Sequence, residues 1–493
     1  MHQGQSTSPT TEAPAAAEAD SEDIAADICV IGTDPGGLAV ASIAAAFGRR
    51  VVLIERPQAE GEAPSYGLLA ARALGAVANR AHAIRTSSLF GIAASDVDVD
   101  LRSVGAHVQS VIAEQAPNYT AERFTALGIR VIQAAGRFVN KKTVVAGEHS
   151  IRARRFVIAT GSTTAVPEIP GLVNVSYFTA ETIFANHDRL HNLIVIGGST
   201  QALELAQAYA RLGSRVIVLD PGKALGDEDG ELAKFVIERL ADEGIAVYEN
   251  AKIDSIEGGL GRVRVHVSVG GDKHVVEGSH LLIAQGRKPA IFDLGLEAAG
   301  IRHDMRGIKV NGGLKTSNRR VFAIGGAAVG PPMPPAPDYY AGLIVRRALL
   351  HVPAQVEARL VPRVVLTDPE LAQVGISEAE AAKAGKKIHV LRWPYRENIR
   401  AAAERHLTGH VKVITNRGGR ILGAGMVGAQ AGELIEIWAL AVAQGLNIKD
   451  MKAWVAGHPT LSEINKSVAT SYYASTTANP TLRKVIDFLA KFG

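Results

Sequence analysis

Two stretches of the chain have the residue types and spacing of a phosphate-binding turn. Residues 30–40 read VIGTDPGGLAV and contain Gly32, Gly36 and Gly37, and residues 192–199 read NLIVIGGS around Gly197. A glycine turn between a strand and a helix lets the backbone approach a pyrophosphate, and the helix N-terminus offers free N–H groups to the phosphates. The chemistry predicted for both stretches is dinucleotide binding.

Each turn belongs to a longer unit that occurs twice. A strand, a glycine turn, a helix and a second strand follow one another, and the unit ends in an acid, Glu55 or Asp220, that stands 23 positions after Gly32 or Gly197. The acid is expected to accept hydrogen bonds from a ribose. This recurrence predicts two Rossmann units. Asp220 would repel a 2′-phosphate, which favours NAD(H) over NADP(H), although Lys223 weakens that preference.

Length and composition are those of a multidomain globular protein. The 493 residues are too many for one core, so two or three domains are expected. The net charge is only +4, and lysine and arginine are dispersed along the sequence, which gives nucleic-acid binding no support. No uninterrupted apolar run approaches the roughly 18 residues that span a bilayer, so no transmembrane segment is predicted.

The single cysteine and the N-terminus bear on the compartment. Cys29 is the only cysteine, so an intramolecular disulfide and a thiolate metal cluster are excluded, and no other metal site is predicted. Its apolar neighbours indicate a small buried side chain. Residues 1–25 are rich in Ala, Thr, Ser, Glu and Asp and are predicted to be a disordered acidic tail rather than a secretory signal. A cytoplasmic location is expected.

Beyond the two turns, the chain resembles the FAD-dependent pyridine nucleotide-disulfide oxidoreductases, the family of dihydrolipoamide dehydrogenase, glutathione reductase and mercuric reductase. The resemblance runs from about residue 27 to about residue 475, with the family's motifs in the family's order. Those motifs are FVIATGS at 156–162, LLIAQGRKP at 281–289, VFAIGG at 321–326, VPRVVLTDPELAQVG at 361–375, GRILGAGMVG at 419–428 and GHPTLSEINK at 457–466.

The resemblance implies an α/β fold with two Rossmann-like dinucleotide-binding domains and a C-terminal α+β interface domain that pairs two subunits into a homodimer. The implied segments are 26–165 and 283–355 for FAD binding, 166–282 for NAD binding, 356–475 for dimerisation and 476–493 for a C-terminal amphipathic helix. In that helix Leu482, Val485, Ile486, Leu489 and Phe492 share one face, which suits packing on the dimer partner.

The resemblance also assigns roles to single residues of this sequence. Glu204 corresponds to a glutamate that pairs with a lysine near the flavin ring, and His458 and Glu463 correspond to the acid–base pair that works across the dimer. The residues implied in cofactor binding are Gly32, Gly36, Gly37, Glu55, Thr160, Gly161 and Gly325 for FAD, and Gly197, Ser199, Ala202 and Asp220 for NAD(H).

The sequence departs from the family where the redox-active cysteines belong. Family enzymes carry two cysteines shortly after the ribose acid, followed by Pro-Ser-Lys, whereas this chain reads ERPQAEGEAPSYGLLAARAL from Glu55. Electrons cannot pass from flavin to a disulfide that does not exist, so dithiol chemistry is excluded. Tyr66 takes the lysine's place, which leaves Glu204 without its expected partner; the Tyr66 hydroxyl is one candidate donor.

Three further departures affect the cofactors. Asp34 stands where the first turn has its second glycine, and a like-charge contact at about 4 Å costs on the order of 4 kcal/mol at an effective dielectric near 20. Gly326 replaces an aspartate that holds the ribityl chain, with a typical loss of roughly 1.5 to 3 kcal/mol. Ser199 is a milder change because its hydroxyl can face a phosphate. FAD binding is therefore expected to be weakened or lost.

Two functional hypotheses follow. The first is a flavin-dependent NAD(P)H oxidoreductase that passes electrons to a non-disulfide acceptor such as a quinone, oxygen or a carrier protein. The second is a degenerate homodimeric pseudoenzyme that has lost FAD and serves as a scaffold or NAD(H) sensor. The glycines can also persist for packing alone, and Thr460 and Glu463 fit a capping box for a helix beginning near Leu461.

Overall fold

The computed structural model describes residues 22–57, 67–94, 97–259, 261–331, 333–474 and 480–492. The first part of the chain contains β1 (Glu22–Ile31), α1 (Pro35–Ala46), β2 (Val51–Glu55), α2 (Gly67–Arg85), α3 (Leu101–Gln115), α4 (Ala121–Ala126), β3 (Arg130–Gln133), β4 (Gly136–Asn140), β5 (Thr143–Ala146), β6 (His149–Ile158) and β7 (Ser162–Thr164). The second part contains β8 (Phe178–Thr179), β9 (Asn192–Ile196), α5 (Thr200–Arg211), β10 (Arg215–Leu219), α6 (Gly230–Asp242), β11 (Ala246–Tyr248), β12 (Lys252–Gly259), β13 (Arg262–Val269), β14 (Asp272–Gly278) and β15 (His280–Ile283).

The remaining elements complete the first unit and form the C-terminal one. They are β16 (Arg287–Pro289), β17 (His303–Asp304), β18 (Gly307–Lys309), β19 (Val321–Ala323), β20 (Ala328–Val329), α7 (Pro337–Ala348), β21 (Arg363–Val365), β22 (Glu370–Gly375), α8 (Glu378–Lys383), β23 (Ile388–Pro394), α9 (Ile399–Ala403), β24 (His410–Asn416), β25 (Ile421–Gly428), α10 (Ala431–Leu434), α11 (Glu436–Gln444), α12 (Ile448–Ala453), α13 (Glu463–Ser471) and α14 (Pro480–Leu489). Short 3₁₀ turns lie at 87–90, 116–119, 172–174, 183–185, 325–327, 358–360 and 395–397.

The first unit is built on a seven-stranded sheet of order β3-β2-β1-β6-β5-β4, with β19 pairing the last residues of β6. The parallel strand β1 lies at its centre and is buried on both faces, which explains its continuous apolar run. Ile28 and Val30 face the core under α1 and α7, whereas Cys29 faces the opposite core. Cys29 is fully buried, as predicted, and burial raises the pKa of its thiol.

The second unit repeats this plan. Its parallel sheet has the order β11-β10-β9-β15-β8, and an antiparallel sheet, β12-β13-β14, forms the connection between β11 and β15. In both units a strand, a glycine turn and a helix lead to the neighbouring parallel strand, so the two predicted Rossmann units are confirmed. Dinucleotides bind such sheets outside the carboxyl ends of the strands.

The C-terminal unit is an antiparallel sheet of order β21-β22-β25-β24-β23 covered by α10 to α13. The fully buried Trp438 lies at its centre, and its indole N–H donates to Asn465 Oδ1 at 2.7 Å. The polar atom of the largest core side chain is thus satisfied inside the core. The α/β fold class, with a C-terminal α+β domain, is confirmed.

The two chain ends differ in part from expectation. β1 begins at Glu22, so residues 22–25, which were assigned to the disordered tail, belong to a strand paired with β6; residues 1–21 lie outside the described residues. In α14 the side chains of Val485, Ile486 and Leu489 are 47%, 55% and 59% exposed. The packing of this helix on a partner stays a prediction. In the described part of the chain, every helix is too short or too polar to cross a membrane.

Candidate dinucleotide-binding site

The two glycine turns have the same backbone geometry. The N–H of Gly32 donates to the carbonyl oxygen of Ile54 at 2.9 Å, and the N–H of Gly197 donates to that of Leu219 at 2.9 Å. These bonds hold each turn against the end of the following strand, where the ribose acid, Glu55 or Asp220, is the next residue. The structure therefore places each acid beside its turn, as the repeat predicts.

Glycine is required at the first position of both turns. The φ angles of Gly32 and Gly197 are +97° and +115°, in the region that favours glycine. A Cβ atom would lie 2.3 Å from the carbonyl oxygen of Ala159 at Gly32, and 2.5 Å from that of Ala284 at Gly197. The turn thus crosses close over a neighbouring strand end in both units, with room for backbone only.

Asp34 is the N-cap residue of α1. Its carboxylate Oδ1 accepts the N–H of Gly36 at 3.1 Å, and Pro35, the first helical residue, has no N–H to offer. A Cβ atom on Gly325 would lie 2.9 Å from Oδ1, and one on Gly161 would lie 3.5 Å from Oδ2. The carboxylate therefore fills the space bounded by Gly36, Gly161 and Gly325, which we call the first cradle.

The environment of Asp34 disfavours its charged form. Burial raises the pKa of this carboxyl above its usual range, and the N–H of Gly36 and the charge of Arg287 oppose that rise. The carboxylate uses the backbone donor that a bound phosphate would need. The first cradle thus carries its own anion at the helix N-terminus.

The other two glycines of the first turn are needed for packing. A Cβ atom on Gly36 would lie 2.6 Å from Cδ1 of Ile324, and one on Gly37 would lie 2.4 Å from Cβ of Ala159. Both contacts join α1 to strand ends of the same sheet. Gly37 would therefore be favoured even if no cofactor were bound, whereas a side chain at Gly36 would only require the end of the Ile324 side chain to move.

Gly326 is also closed by its neighbours. A Cβ atom there would lie 2.3 Å from Oγ of Ser162, and that hydroxyl accepts the Nε–H of Arg287 at 2.8 Å. Arg287 also donates to the carboxylate of Glu181 at 2.8 Å. The family's aspartate at this position would therefore displace Ser162 and disturb its bond to Arg287.

Thr160 offers an unsatisfied hydroxyl beside the first cradle. Its Oγ1 is buried and has no hydrogen-bond partner among the described residues. Buried hydroxyls in folded proteins are nearly always partnered by protein or by a bound group. Thr160 directly precedes Gly161, so a group held in the cradle is a candidate partner.

In the second turn Ser199 takes the position equivalent to Asp34. Its hydroxyl accepts the N–H of Ala202 at 3.3 Å, capping α5, and donates to the carbonyl oxygen of Ala284 at 3.1 Å. The hydroxyl is thus engaged with the protein's own backbone, and its contact with a phosphate stays a prediction. Asp220 accepts the N–H of Gly222 at 2.8 Å, and its other oxygen lies against Gly198, where a Cβ atom would be 2.1 Å away.

Glu204 has a cationic partner that the sequence did not reveal. Arg72, on α2, donates to its carboxylate Oε2, and the N–H of Leu366 donates to Oε1 at 2.7 Å. Arg72 therefore takes the place of the family's lysine as the donor to Glu204, and Tyr66, the candidate donor, lies outside the described residues. Burial raises the pKa of Glu204, and Arg72 opposes that rise. No local signal in the sequence pairs these two residues, because they lie 132 positions apart and meet only when α2 packs against α5.

His458 and Glu463 lie together on the surface of the C-terminal unit. Nδ1 of His458 is 3.0 Å from Oε1 of Glu463, and 65% of the histidine side chain is exposed. Glu463 Oε2 accepts the N–H of Thr460 at 3.1 Å, but the Thr460 hydroxyl donates to Gly457. The reciprocal capping box is therefore absent here, and α13 begins at Glu463 rather than near Leu461.

One buried charge network joins the three units. His82, Glu243 and Asp368 each offer a ligand atom within 4.8 Å of the others, an arrangement that metal ions use. The guanidinium of Arg211, however, lies 2.5 Å from Glu243 and 2.8 Å from Asp368. Since Arg211 already neutralises these carboxylates, this group functions as an ion-pair network.

The chain matches two family sequence models. Residues 26–358 match pyridine nucleotide-disulphide oxidoreductase, and residues 361–469 match the dimerisation domain of the same family. The chain belongs to the pyridine nucleotide-disulphide oxidoreductase family. Dihydrolipoyl dehydrogenase of Bacillus subtilis is 31% identical, with 90% of this chain and 96% of the relative covered. Mercuric reductase of Bacillus cereus is 30% identical over 89% of this chain and 70% of the relative.

Solved structures support the same fold. LpdA from Mycobacterium tuberculosis matches with a TM-score of 0.80 at 23% identity, covering 91% of this chain and 99% of that one. The flavoprotein disulfide reductase RclA from Escherichia coli matches with a TM-score of 0.77 at 24% identity, covering 90% and 99%. Members of this oxidoreductase family use FAD and NAD(P)H, and this chain keeps the family's architecture without its cysteine pair.

The first cradle has groups that a pyrophosphate could contact, but the Asp34 carboxylate lies among them. Gly161 and Gly325 present backbone only, Thr160 has a spare hydroxyl, and Glu55 lies at the adjoining strand end. A phosphate and the Asp34 carboxylate cannot share this space. FAD binding in this pyridine nucleotide-disulphide oxidoreductase therefore requires the Asp34 side chain to leave the cradle.

This competition predicts that FAD binding depends on pH. Protonation of Asp34 removes the like charge, and its raised pKa brings that protonation closer to mildly acidic conditions. We expect the dissociation constant of FAD to increase as pH rises from mildly acidic to neutral, measured by quenching of flavin fluorescence. The variant Asp34→Asn should show a flat profile over this range, and an equal slope in both proteins would contradict the prediction.

Proposed function

We propose that this protein is a flavin-dependent NAD(H) oxidoreductase that passes electrons to a non-disulfide acceptor. The observation that carries the proposal is the Arg72–Glu204 ion pair. The family's lysine–glutamate pair lies near the flavin ring, and here an arginine from the next helix supplies the missing cation. A protein that no longer uses flavin gains nothing for catalysis from a cation at this position. In a working flavoprotein, a positive charge beside the ring stabilises reduced flavin.

The residues that would hold the group are those of the first cradle. Glu55 would bind the ribose, Thr160 and Gly161 would line the pyrophosphate, and Asp34 would have to move. The chemistry that FAD would supply there is two-electron transfer between NADH and the acceptor. The protein's own part is to orient both cofactors at the sheet edges and to hold Arg72 against Glu204.

NAD(H) is the preferred dinucleotide in this proposal. The Asp220 carboxylate lies against the second glycine turn, where a 2′-phosphate on the ribose would meet its charge. Two like charges about 4 Å apart repel by on the order of 4 kcal/mol at an effective dielectric near 20. A preference for NADH over NADPH is expected.

The acid–base pair also belongs to the proposal. His458 is mostly exposed, and Glu463 orients its ring, so the imidazole is free to exchange protons with a group outside its own chain. In a homodimer built through residues 361–469, that group would belong to the partner's flavin site. The non-disulfide acceptor would take its proton there.

The test is NADH oxidation by protein loaded with FAD, with quinones, oxygen and artificial dyes as acceptors. We expect turnover with NADH to exceed that with NADPH, and the flavin midpoint potential to fall in the variant Arg72→Gln. The matched control is Arg80→Gln, also on α2. No turnover with any acceptor, while FAD remains bound, would overturn the proposal. An unchanged potential in Arg72→Gln would remove its main support.

A second function is favoured by Asp34. A carboxylate that caps α1 inside the first cradle suits a protein that keeps the NAD(H) unit and the dimer but no longer binds FAD. Such a protein would serve as a scaffold or NAD(H) sensor. A colourless protein that binds NADH and takes up no added FAD at any pH would favour this function over the first.

A further inference from the structure

Four arginine pairs that are far apart in the sequence lie at the amino-terminal edge of the seven-stranded sheet. They are Arg49–Arg50, Arg154–Arg155, Arg319–Arg320 and Arg346–Arg347. Arg50 precedes β2 and its carbonyl oxygen accepts the N–H of Asp27, while Arg320 precedes β19 and accepts the N–H of Phe156 at 2.9 Å. Basic residues that are dispersed along the sequence are thus brought together at this edge of the sheet.

A cavity of about 380 Å³ opens among these residues. Arg49, Arg154 and Arg155 line it with positive charge, His351 adds an imidazole, and Asp27 is the one acid among the described residues of the lining. The volume lies within the range of sites for small molecules, about 300 to 1,000 Å³. The first cradle lies at the carboxyl ends of the same strands, so this cavity is separate from the dinucleotide-binding crevice.

Asp27 does not balance the charge of the cavity. Its carboxylate already accepts the N–H of Arg50 at 3.1 Å and lies 3.7 Å and 3.8 Å from the guanidinium groups of Arg50 and Arg154. These partners lower the pKa of Asp27, the N–H of Arg50 most of all. The Asp27 carboxylate is therefore already paired, and within the described residues no acid forms an ion pair with Arg49 or Arg155.

Arg155 is the strongest sign of a missing ligand. Its Nε–H is buried and has no hydrogen-bond partner among the described residues, although Nη1 donates to a carbonyl oxygen at 3.0 Å. Burial lowers the pKa of Arg155, and Arg320 and Arg154 lower it further. Arg155 as a whole is half-buried, but a buried donor that lacks a partner among like charges is costly unless an anion meets it.

The rest of the lining is apolar. Phe47, Leu349 and Leu350 also line the cavity, and Phe47 and Leu350 are 53% and 52% exposed. Guanidinium groups bind phosphate oxygens in a planar, bidentate way, and apolar side chains take up a ring or a chain. Inorganic phosphate alone would use only half of this lining.

We infer that this cavity binds a small organic phosphate, with the phosphate on Arg49, Arg154 and Arg155 and an apolar body against Phe47 and Leu350. The binding does not depend on FAD or NAD(H). A phosphorylated metabolite would then bind at the amino-terminal edge of the sheet while redox chemistry takes place at the carboxyl-terminal edge. Phosphate-free rings and simple anions are poor ligands in this assignment.

The test is calorimetric titration of the full chain with phenyl phosphate, a small organic phosphate that lacks the adenosine and nicotinamide parts of a dinucleotide. We expect saturable binding with one site per chain and a dissociation constant below about 1 mM, a typical value for a small anionic ligand. Phenol should not bind, and inorganic phosphate should bind at least about tenfold more weakly than phenyl phosphate.

Arg155→Gln should weaken phenyl phosphate binding about tenfold or more, because it removes a charge-assisted donor. If Arg155→Gln fails to fold, Arg49→Gln tests the same site, because Arg49 lies on an exposed loop. The matched control is Arg130→Gln, an arginine on β3 that pairs with Glu22, which should leave binding unchanged. Absence of saturable binding, equal affinity for inorganic phosphate, or wild-type affinity in Arg49→Gln would each overturn the inference.

Discussion

Replacing Asp34 by glycine is expected to tighten FAD binding by between about tenfold and 1,000-fold. The carboxylate fills the first cradle and uses the Gly36 N–H, so its removal frees both the space and a phosphate donor. A like-charge contact of this kind costs on the order of 4 kcal/mol at an effective dielectric near 20, which corresponds to roughly 1,000-fold. Titration of apoprotein with FAD, followed by flavin fluorescence, measures the change.

Two controls separate charge from size. Asp34→Asn keeps the cap and the side-chain volume but removes the charge, so it should recover most of the gain if repulsion dominates. Ser199→Gly changes the equivalent position of the second turn and should leave FAD binding as it is. If both Asp34 variants bound FAD with wild-type affinity, Asp34 in the first cradle would not be what weakens FAD binding.

Gly326→Asp is not expected to add to this gain. The introduced side chain would meet Ser162 Oγ, which is held by Arg287. The aspartate typical of the family is thus excluded by packing as well as lost from the sequence. If Asp34→Gly with Gly326→Asp bound FAD tighter than Asp34→Gly alone, Ser162 would have to yield more easily than its contacts indicate.

Replacing Arg211 by methionine is expected to lower the free energy of unfolding by about 3 to 5 kcal/mol. The guanidinium is 2% exposed, lies 2.5 Å from the Glu243 carboxylate and 2.8 Å from that of Asp368, and donates to Asn79 at 2.6 Å. Removing one member of a buried ion pair leaves an uncompensated buried charge. Urea unfolding followed by circular dichroism measures the loss.

Arg239 gives a matched control for Arg211. It contacts the same Glu243 at 2.9 Å, but its side chain is 34% exposed and the pair spans one helical turn. Exposed pairs of this kind contribute about 1 kcal/mol or less, so Arg239→Met should have a small effect. A loss in Arg211→Met no larger than that in Arg239→Met would mean that solvent, rather than Arg211, satisfies Glu243 and Asp368.

These residues differ from the family pattern mainly in the unit that is predicted to bind FAD. The dithiol is absent, the cation beside Glu204 comes from Arg72, and the first cradle is closed by Asp34. The NAD half keeps its turn and its acid, with Ser199 as a helix cap. FAD binding that is weak, dependent on pH and reversible is the behaviour expected from this combination.

The sequence by itself determined the architecture and one chemical limit. The two Rossmann units were predictable from Gly32 and Gly197, because each unit is defined by local features at a fixed spacing. These features are a strand, a glycine turn, a helix, a second strand and an acid, and they can be recognised without knowing the fold. A single cysteine excludes dithiol chemistry in any fold. From the sequence, Asp34 was interpreted only as a misplaced charge, and its N-cap role came from the structure.

Only the tertiary structure decided which distant side chains meet. Arg72 and Glu204 are 132 positions apart, and the arginine pairs at 49–50, 154–155 and 319–320 reach one sheet edge through strands that neighbour one another only after folding. Hydrophobic periodicity fixes which face of an element is buried, but not which element it packs against. The partner of a buried charge and the lining of a cavity depend on that packing, and therefore no pattern along the chain could reveal them.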